Sequence, residues 1–388
     1  MTARRYVQVS YPWSAAFEAG RPAPLRYLAD LIRQTLRYGM PAKRYGAAGA
    51  WMIRHGVPRA LLTTALRARG RGPRPEIDSL IAAVSEAWGD LASRGRWLPA
   101  GPPELSALAL KRRSALTVFL FGEGSAPLVV CKIPRAEPDS LELEARALGE
   151  AEPARVGPRF LGKVGDAFVQ EALPGAPLNV APVTPEEAAK LGWNVQHQEL
   201  AAGFIRLAEV TRRPGPPQEL RPEVKTALGQ ADLEESLRAR VSTALGELER
   251  FDFAVLRHGD TSAQNCLFEK ERLSGLVDWE IARPQGAPGF DILNAAVALL
   301  DHGVGLVNWS EDRAVTCFET AWKNSAFFDR ARAAARESVE AAGATAGDYE
   351  RLEVAFFARR LASRLADPEY YATGPASAAR MLEIACAL

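Results

Sequence analysis

Apolar residues in the N-terminal quarter of the chain recur at the spacing of amphipathic helices, in one set near residues 25–36 and in another near 77–91. The second and longer set consists of Ile77, Leu80, Ile81, Val84, Trp88 and Leu91. A stretch rich in proline and glycine, residues 98–103, then ends the pattern. We therefore predict that residues 1–96 are mostly helical and that residues 1–103 form an N-terminal segment with its linker.

From residue 104 the apolar residues come in short runs, rich in Val, Leu and Phe, that are separated by turn residues. This pattern is typical of strands and hairpins. It predicts a three-stranded antiparallel meander, then one helix, then a pair of strands, at residues 105–110, 115–121, 128–133, 139–150, 159–164 and 167–171. Turn residues follow at 173–177, so residues 104–173 are predicted to form a small β-rich lobe.

Helical periodicity returns beyond residue 184 and continues to the C-terminus, apart from an irregular stretch at 256–292. We predict a larger, helical lobe over residues 174–388. The predicted fold class is therefore α+β, with a basic helical segment, a small β-rich lobe and a larger helical lobe in that order.

The composition is that of a globular protein. Of the 388 residues, 47% are hydrophobic and 24% are charged, which excludes extensive disorder. No run of about 18 uncharged apolar residues is present, so we expect no membrane-spanning helix. The four cysteines lie far apart, without a Cys-x-x-Cys pair. We therefore expect a protein of the reducing cytoplasm, with neither a zinc site nor a disulfide framework.

The net charge of +1 conceals an uneven distribution of charged residues. Residues 1–113 contain 19 basic and 7 acidic residues, so this segment is strongly positive while the remainder is negative. A basic segment of this kind can pack on the acidic part of its own chain or bind an anionic surface. Residues 44–71 are the candidate for peripheral contact with an anionic membrane, and we expect no specific nucleic-acid binding.

The most informative segment reads His258-Gly259-Asp260, followed by Asn265 and, beyond an apolar hairpin, by Asp278. Phosphoryl transfer needs an acceptor hydroxyl held in line and cations held against the phosphates. The carboxylate of Asp260 can orient that hydroxyl and accept its proton. The amide oxygen of Asn265 and the carboxylate of Asp278 are hard oxygen ligands of the kind that Mg²⁺ prefers.

This segment resembles the catalytic loop and the metal motif of the aminoglycoside phosphotransferase/choline kinase-like family, which shares the protein-kinase fold. The family patterns are His-Gly-Asp-x-x-x-x-Asn and Ile/Val-Asp-Trp/Phe-Glu, and residues 258–265 and 277–280 carry both. The resemblance covers residues 104–388 and implies a bilobal protein-kinase-like fold that uses ATP and Mg²⁺. It implies that Asp260 is catalytic and that Asn265 and Asp278 bind the metal.

The resemblance also implies a phosphate-binding lysine on the third strand of the small lobe, and Val130-Cys131-Lys132 supplies it. Strand alternation places Val130 and Lys132 on one face, where Val130 would cover the adenine. The lysine should pair with a glutamate on the next helix. The Glu-Ala-x-x-Leu pattern of the family favours Glu144, and Glu142 is the alternative.

The connection between the lobes resembles that of the family over residues 168–175, so backbone groups of Glu171 and Leu173 are the expected adenine partners. Two features depart from the family pattern. In place of a glycine-rich phosphate loop, residues 111–114 read Lys-Arg-Arg-Ser, which is either a basic phosphate-holding loop or a solvated turn. Residues 261–262 read Thr-Ser where many relatives have Leu-His, which puts the familiar acceptors in doubt.

The sequence therefore predicts an enzyme that uses ATP and Mg²⁺ to move a phosphoryl group to a hydroxyl of a small molecule, such as an antibiotic, a sugar, an amino alcohol or a biosynthetic intermediate. Two alternatives stay open, namely a nucleotide-binding pseudokinase scaffold and a kinase-fold nucleotidyltransferase. The acidic residues Asp291, Asp301 and Glu311 are candidates for binding a cationic acceptor if their side chains face the acceptor site.

Overall fold

The computed structural model describes residues 6–9, 14–18, 23–24, 26–31, 71–72, 74–111, 115–135, 138–218, 225, 228–229, 231, 233–248, 251–307, 309–367 and 373–387. These residues form two compact units. The first contains the described residues up to Glu152 together with Gly157–Pro174, and the second contains Pro153–Val156 and the described residues from Gly175 onward. The predicted α+β class is confirmed, because the first unit is built on a sheet and the second is mainly helical.

The strands of the first unit form one eight-stranded sheet in which each neighbouring pair is antiparallel. Their bounds are β1 Tyr6–Val9, β2 Ser14–Glu18, β3 Arg71–Gly72, β4 Ser106–Lys111, β5 Ala115–Phe121, β6 Pro127–Pro134, β7 Phe160–Val164 and β8 Ala167–Glu171. The order across the sheet is β3-β1-β2-β4-β5-β6-β8-β7. The predicted meander is therefore confirmed as β4, β5 and β6, and the predicted strand pair as β7 and β8.

Helices of the first unit cover both faces of this sheet. They include α1 Pro75–Glu86, α2 Trp88–Arg94 and α3 Pro138–Ala151. The apolar repeat of residues 77–91 lies on α1 and α2 and packs against one face of the sheet, where it meets Val118. Leu141 of α3 packs with Ala115 and Phe168. Ala115 lies three residues before Val118 on the same strand, so α3 covers the opposite face.

Strand alternation sorts the residues of β6 between these two faces. Val129 and Cys131 belong to the core beneath α1 and α2. Val130 and Lys132 therefore lie together on the other face, which α3 covers, as the sequence pattern predicted.

The prediction that residues 1–96 are mostly helical is wrong at β1 and β2, which extend the sheet beyond β4. Their sequences, Tyr-Val-Gln-Val and Ser-Ala-Ala-Phe-Glu, do not alternate strictly between apolar and polar residues, so they give no strand signal. Moreover, β2 forms because β4, far along the sequence, offers an edge to pair with. The predicted membrane-contact segment, residues 44–71, lies outside the described residues except for Arg71, where β3 begins.

The second unit is dominated by helices. Their bounds are α4 Pro185–Ala188, α5 Val195–Thr211, α6 Glu235–Leu248, α7 Phe290–Val307, α8 Glu311–Asn324, α9 Ala326–Ala341, α10 Ala346–Ala366 and α11 Pro375–Cys386. Short antiparallel ladders join β9 Ala176–Pro177, β10 Arg213–Pro214, β11 Phe253–Arg257, β12 Cys266–Glu269, β13 Arg272–Leu276 and β14 Arg283–Gly286. Strands and loops over residues 256–292, with helices on either side, agree with the sequence pattern.

Helix α7 is long and apolar enough to cross a membrane by length and composition alone. However, 61% of it is buried inside the protein, and it carries the charged residues Asp291 and Asp301. Extensive burial within the unit is typical of the core helix of a globular domain.

The end of β8 is tied to the chain that follows α2. Glu171 is 1% exposed, and its carboxylate accepts hydrogen bonds from the backbone N–H groups of Arg96 and Trp97. The guanidinium of Arg96 lies 3.9 Å from the same carboxylate. The side chain of Glu171 therefore links the segment before β4 to the strand end at which backbone groups were predicted to bind adenine.

We expect Glu171→Ala to lower the free energy of unfolding by about 2–3 kcal/mol, because two backbone donors lose their buried acceptor. The matched control is Glu142→Ala, since Glu142 is exposed and pairs with Lys163 at the surface; its loss should cost less than about 1 kcal/mol. Equilibrium urea unfolding of both variants measures the difference. Equal destabilisation by the two changes would show that the contacts of Glu171 do not stabilise the fold.

Candidate active site

A β-hairpin brings the two predicted metal ligands to the same end of a ladder. Asn265 directly precedes β12, Asp278 follows β13, and Cys266 pairs with Leu276 at the open end of the hairpin. The backbone N–H of Val277 donates to the carbonyl oxygen of Asn265 at 2.9 Å. The hairpin therefore brings Asn265 and Asp278 together across the twelve residues that separate them in the sequence.

Asp278 has a φ of 70°, a left-handed conformation that side chains other than those of Asn and Asp rarely adopt. The next residue, Trp279, is completely buried, and its indole N–H donates to the carbonyl oxygen of Leu276. Burial of Trp279 anchors this turn, and the left-handed residue before it redirects the chain. Strained backbone of this kind is concentrated at functional sites.

His258 braces the loop that carries Asp260, residues 258–265, which we call the Asp260 loop. The imidazole is fully buried and lies edge-on against the indole of Trp279, with 4.6 Å between the ring centroids. The N–H of Asp260 donates to Nδ1 of His258. Nδ1 is therefore unprotonated, and Nε2 donates its proton to the carbonyl oxygen of Val277. The imidazole thus joins the Asp260 loop to the hairpin that precedes Asp278.

Asp260 is partly exposed, and two hydrogen bonds orient it. One carboxylate oxygen accepts the N–H of Ser262 at 3.3 Å, and the backbone carbonyl of Asp260 accepts the side-chain N–H of Asn265 at 3.1 Å. The amide nitrogen of Asn265 is thus engaged, and its amide oxygen is the atom left for a cation. We call Asp260, Asn265 and Asp278, which these bonds and the hairpin hold together, the oxygen cluster.

Asp291, in the first turn of α7, holds the start of the Asp260 loop. It is 4% exposed, and its carboxylate accepts the backbone N–H groups of His258 at 2.7 Å and of Gly259 at 3.2 Å. The guanidinium of Arg257 donates two further hydrogen bonds to it at 2.9 and 3.2 Å. This buried ion pair positions three consecutive residues directly before Asp260.

Gly259 has a backbone conformation that glycine alone accommodates here. Its φ is 88°, and a Cβ at this position would lie 2.5 Å from the backbone oxygen of Ile281. The glycine of the His-Gly-Asp motif therefore allows the Asp260 loop to lie close to the chain that follows Trp279.

Lys132 and Glu144 form an ion pair in the first unit. The Nζ atom of Lys132 lies 2.7 Å from both carboxylate oxygens of Glu144, which is 3% exposed. Glu142 is exposed instead and pairs with Lys163 at 3.2 Å. The structure thus selects Glu144 from the two candidates. Val130, on the same face of β6 as Lys132, is buried.

At the end of β8 the backbone N–H groups of Glu171 and Ala172 are hydrogen-bonded, whereas that of the following residue, Leu173, has no hydrogen-bond partner among the described residues. The N–H of Glu171 donates to the carbonyl oxygen of Arg159, and that of Ala172 donates to the carbonyl oxygen of Leu128. Leu173 makes no backbone hydrogen bond within the part of the chain that the structure describes. The N–H and carbonyl of Leu173 are therefore available to the edge of a planar ring, whereas the N–H of Glu171 is already used.

The three acidic residues considered for a cationic acceptor all have internal partners. Asp291 binds the Asp260 loop, Asp301 pairs with Arg360 at 2.6 Å, and Glu311 accepts the hydroxyl of Ser377 in the first turn of α11. Each carboxylate therefore already stabilises the fold, which argues against their binding a cationic acceptor.

The cysteines next to the site residues are free and fully buried. Burial raises the pKa of the Cys131 thiol to about 12. Burial also raises the pKa of the Cys266 thiol, and the carboxylates of Asp260 and Asp291 raise it further. Both thiols are therefore protonated at neutral pH and serve as small apolar side chains, not as nucleophiles.

The oxygen cluster fits a magnesium ion by its chemistry. Its carboxylate at Asp278 and its amide oxygen at Asn265 are hard ligands, and Mg²⁺ is usually bound through one or two carboxylates together with substrate phosphates. Among the described residues, no group of three or more His, Cys, Asp or Glu side chains would hold a metal ion by itself. The donor set therefore suits a cation that arrives with a phosphate.

Comparison with known proteins gives one match to a family model. A model described as the phosphotransferase enzyme family matches residues 108–353, which is more than half of the chain and includes every site residue described above. No curated protein sequence matches the chain.

Solved structures with a similar fold come from several small-molecule kinases. The macrolide 2'-phosphotransferase MphH from Brachybacterium faecium is 19% identical, with a TM-score of 0.39 over 77% of this chain and 97% of that chain. A choline kinase from Cryptosporidium parvum is 11% identical, with a TM-score of 0.44 over 80% and 94%. A choline/ethanolamine kinase family protein from Mesorhizobium loti is 16% identical, with a TM-score of 0.37 over 79% and 94%. Because all three TM-scores are below 0.5, the assignment of the chain to a family rests on the family model alone.

We expect Asp291→Ala to lower the free energy of unfolding by about 3–5 kcal/mol, because the guanidinium of Arg257 is left buried without its counter-ion. Asp329→Ala is the matched control, since Asp329 is exposed and pairs with Arg332 within one helix; its loss should cost less than about 1 kcal/mol. Urea unfolding followed by tryptophan fluorescence measures both. A difference of less than about 1 kcal/mol between the two variants would contradict the anchoring role of Asp291.

Proposed function

The chain belongs to the phosphotransferase enzyme family and is a small-molecule kinase of that family, and we propose that it moves the γ-phosphoryl group of ATP to a hydroxyl with the help of Mg²⁺. The observation that carries this proposal is the oxygen cluster, whose three residues one loop and one hairpin hold together. We also propose a cytoplasmic enzyme, which its four free thiols support.

Asp260 is the proposed base and orienting residue. The oxygen of the acceptor hydroxyl attacks the γ-phosphorus while its proton passes to the carboxylate of Asp260. The bond between the γ-phosphorus and the β–γ bridging oxygen breaks, and ADP leaves with that electron pair. The N–H of Ser262 binds one carboxylate oxygen of Asp260, so the other oxygen is the one that receives the hydroxyl proton.

Asn265 and Asp278 are the proposed magnesium ligands. When bound, Mg²⁺ would neutralise charge on the transferred and leaving phosphates. The hairpin between the two residues positions their oxygen atoms in advance, so little reorganisation is needed when the metal and nucleotide bind. The bonded amide nitrogen of Asn265 supports this role because it limits the movement of that side chain. The buried Trp279 supports it because it anchors the backbone next to Asp278.

Lys132 is the proposed ligand of the α- and β-phosphates, and Glu144 orients it. Both oxygens of Glu144 hold the ammonium group, which keeps the lysine in one conformation. Val130, on the same face, is proposed to cover the adenine, and backbone groups of Glu171 and Leu173 are proposed to bind its edge. The open backbone groups of Leu173 support that assignment. Binding of one nucleotide by both Lys132 and the oxygen cluster stays a prediction.

The two alternative functions, a scaffold and a nucleotidyltransferase, can be distinguished from the kinase by what they release. A pseudokinase scaffold would bind nucleotide without transferring any group, and a nucleotidyltransferase would release pyrophosphate instead of ADP. The presence of Lys132, Glu144 and the complete oxygen cluster favours the kinase, because a scaffold has no need to keep all of these groups.

Products identify the reaction directly. We expect the full-length protein, incubated with Mg²⁺, ATP and a panel of hydroxylated compounds, to yield ADP and an acceptor that is heavier by one phosphoryl group, both read by mass spectrometry. Asp260→Asn should lower kcat by about 10²- to 10⁴-fold, because the proton of the hydroxyl loses its acceptor. Pyrophosphate as the product would establish the nucleotidyltransferase, and nucleotide binding without any product would establish the scaffold.

Glu144→Gln should lower kcat/KM for ATP by about 10- to 100-fold, because Lys132 loses the charge that holds it in place. Glu142→Gln is the matched control, two residues away on the same helix, and should change kcat/KM by less than about threefold. Initial rates over a range of ATP concentrations measure both variants. Equal losses in the two would contradict the assignment of Lys132 as the phosphate ligand.

A further inference from the structure

Helix α7 is mostly buried, but one of its faces is partly exposed. From Phe290 to Gly305 all residues are buried except five that recur three or four positions apart, on one side of the helix. They are Asn294, Ala298, Asp301, His302 and Gly305. Two of them are small, and added bulk at Gly305 would meet no atom within 4 Å. This face therefore leaves space beside its polar side chains.

The open face of α7 begins at the Asp260 loop. The side-chain N–H of Asn294 donates to the hydroxyl of Thr261 at 2.9 Å, and that hydroxyl donates to the backbone oxygen of Asp291 at 3.1 Å. Since a helix rises about 1.5 Å per residue, Asp301 and His302 lie roughly 10–12 Å further along it. That rise is measured from Asn294, whereas Asp260 itself lies near enough to His302 for its carboxylate to act on the pKa of the imidazole.

Two polar residues of this face, and Arg360 of α10, which pairs with Asp301, have buried atoms without a hydrogen-bond partner among the described residues. These atoms are Oδ1 of Asp301, Nδ1 of His302 and Nε of Arg360, and we call the three residues the polar triplet. The hydroxyl oxygen of Ser262, in the Asp260 loop, is in the same condition. Of the eleven atoms of this kind among the described residues, these four lie in the Asp260 loop, on α7 or on the partner of Asp301. Buried polar atoms in native proteins are nearly always hydrogen-bonded, so these four have hydrogen-bonding capacity left for a ligand.

The polar triplet has no charge to offer a ligand. Asp301 and Arg360 neutralise each other through a hydrogen bond of 2.6 Å. Burial lowers the pKa of His302, although the carboxylates of Asp301 and Asp260 oppose this shift, so the imidazole is neutral at pH 7. A neutral imidazole has one donor and one acceptor, a guanidinium donates and a carboxylate accepts. This mixture matches hydroxyl groups, each of which both donates and accepts.

Cationic acceptors fit the same region poorly. An ammonium group needs an unpaired carboxylate if it is to be removed from water without a large cost. Asp291 is committed to Arg257 and to the Asp260 loop, Asp301 to Arg360, and Glu311 to α11. The carboxylates of α7 and of the start of α8 are thus already balanced within the protein.

We propose that the phosphoryl acceptor is an uncharged polyhydroxyl compound, a sugar or a cyclitol, and that the polar triplet binds hydroxyls that do not react while another hydroxyl reaches Asp260. This inference rests on the proposed function, since it names the acceptor class of the same reaction. It makes Asp301, His302 and Arg360 specificity-determining residues.

A matched panel of acceptors tests the inference. The full-length protein is incubated with Mg²⁺, ATP and either a neutral acceptor (D-glucose, D-ribose or myo-inositol) or a cationic one (choline, ethanolamine or kanamycin). ADP release gives the rates, and mass spectrometry identifies the phosphorylated product. We expect kcat/KM for the best neutral acceptor to exceed that for the best cationic one by about tenfold or more, because polar groups that lose their partners penalise the wrong ligand.

The outcomes separate this inference from the function on which it rests. Transfer that favours a cationic acceptor overturns the polyhydroxyl assignment and leaves the kinase reaction intact. Failure to transfer to any compound of the panel, with no ADP formed, overturns both. Transfer that favours a neutral acceptor supports both.

Substitutions in the polar triplet locate the binding. His302→Phe removes both hydrogen-bonding nitrogens and should raise KM for the neutral acceptor about tenfold, with a change in kcat of less than about threefold. His302→Gln retains a donor and an acceptor, so its KM should stay within about threefold of the wild-type value. Asp301→Asn leaves the charge of Arg360 uncompensated, so it should raise the ratio of neutral to cationic kcat/KM, and the exposed Asp329→Asn is its matched control.

A purely structural role would give a different result. Damage to packing would lower rates with neutral and cationic acceptors alike and would not distinguish His302→Phe from His302→Gln. An unchanged acceptor KM in His302→Phe, or an unchanged acceptor ratio in Asp301→Asn, overturns the assignment of these residues.

Discussion

The buried carboxylate of Asp291 is the constraint on which the candidate site depends. It neutralises Arg257 at the end of β11, binds the N–H groups of the next two residues, and belongs to the first turn of α7. One side chain thus positions a strand, the Asp260 loop and the helix that carries most of the polar triplet. Removing an ion pair from water is costly, and the cost is offset only when the remaining lone pairs also have partners. The two backbone donors supply them.

Within each unit, the geometry of hairpins and strands positions the other candidate site residues. A hairpin returns the chain so that Asn265 and Asp278 meet, and strand alternation sends Lys132 to the face of the sheet that α3 covers. The strain that these arrangements need is confined to a few residues. Gly259 and Asp278 adopt positive φ angles, at a glycine and at a residue type that tolerates them.

The buried polar groups of the protein fall into two kinds, those whose hydrogen bonds are complete and those with an atom left without a partner among the described residues. Both oxygens of Asp291 and both oxygens of Glu144 are hydrogen-bonded inside the protein. In contrast, Ser262 of the Asp260 loop and the polar triplet keep buried atoms that have no partner within the part of the chain that the structure describes. A group whose hydrogen bonds are complete stabilises the fold, whereas the free atoms of Ser262 and the polar triplet are the ones that we propose to bind the acceptor.

The sequence by itself determined the features that depend on neighbours along the chain. Alternation and turn spacing defined β4 to β8 and the face of Lys132, and the spacing of His258, Asp260, Asn265 and Asp278 indicated the oxygen cluster. Only the tertiary structure added β1 and β2 to the sheet and engaged the Glu171 carboxylate with the backbone of residues 96–97. It decided between Glu144, which the sequence pattern favoured, and Glu142. It also paired Asp301 with Arg360. The reason is physical: periodicity fixes which face of an element a side chain occupies, but the group that it meets there comes from a distant part of the chain.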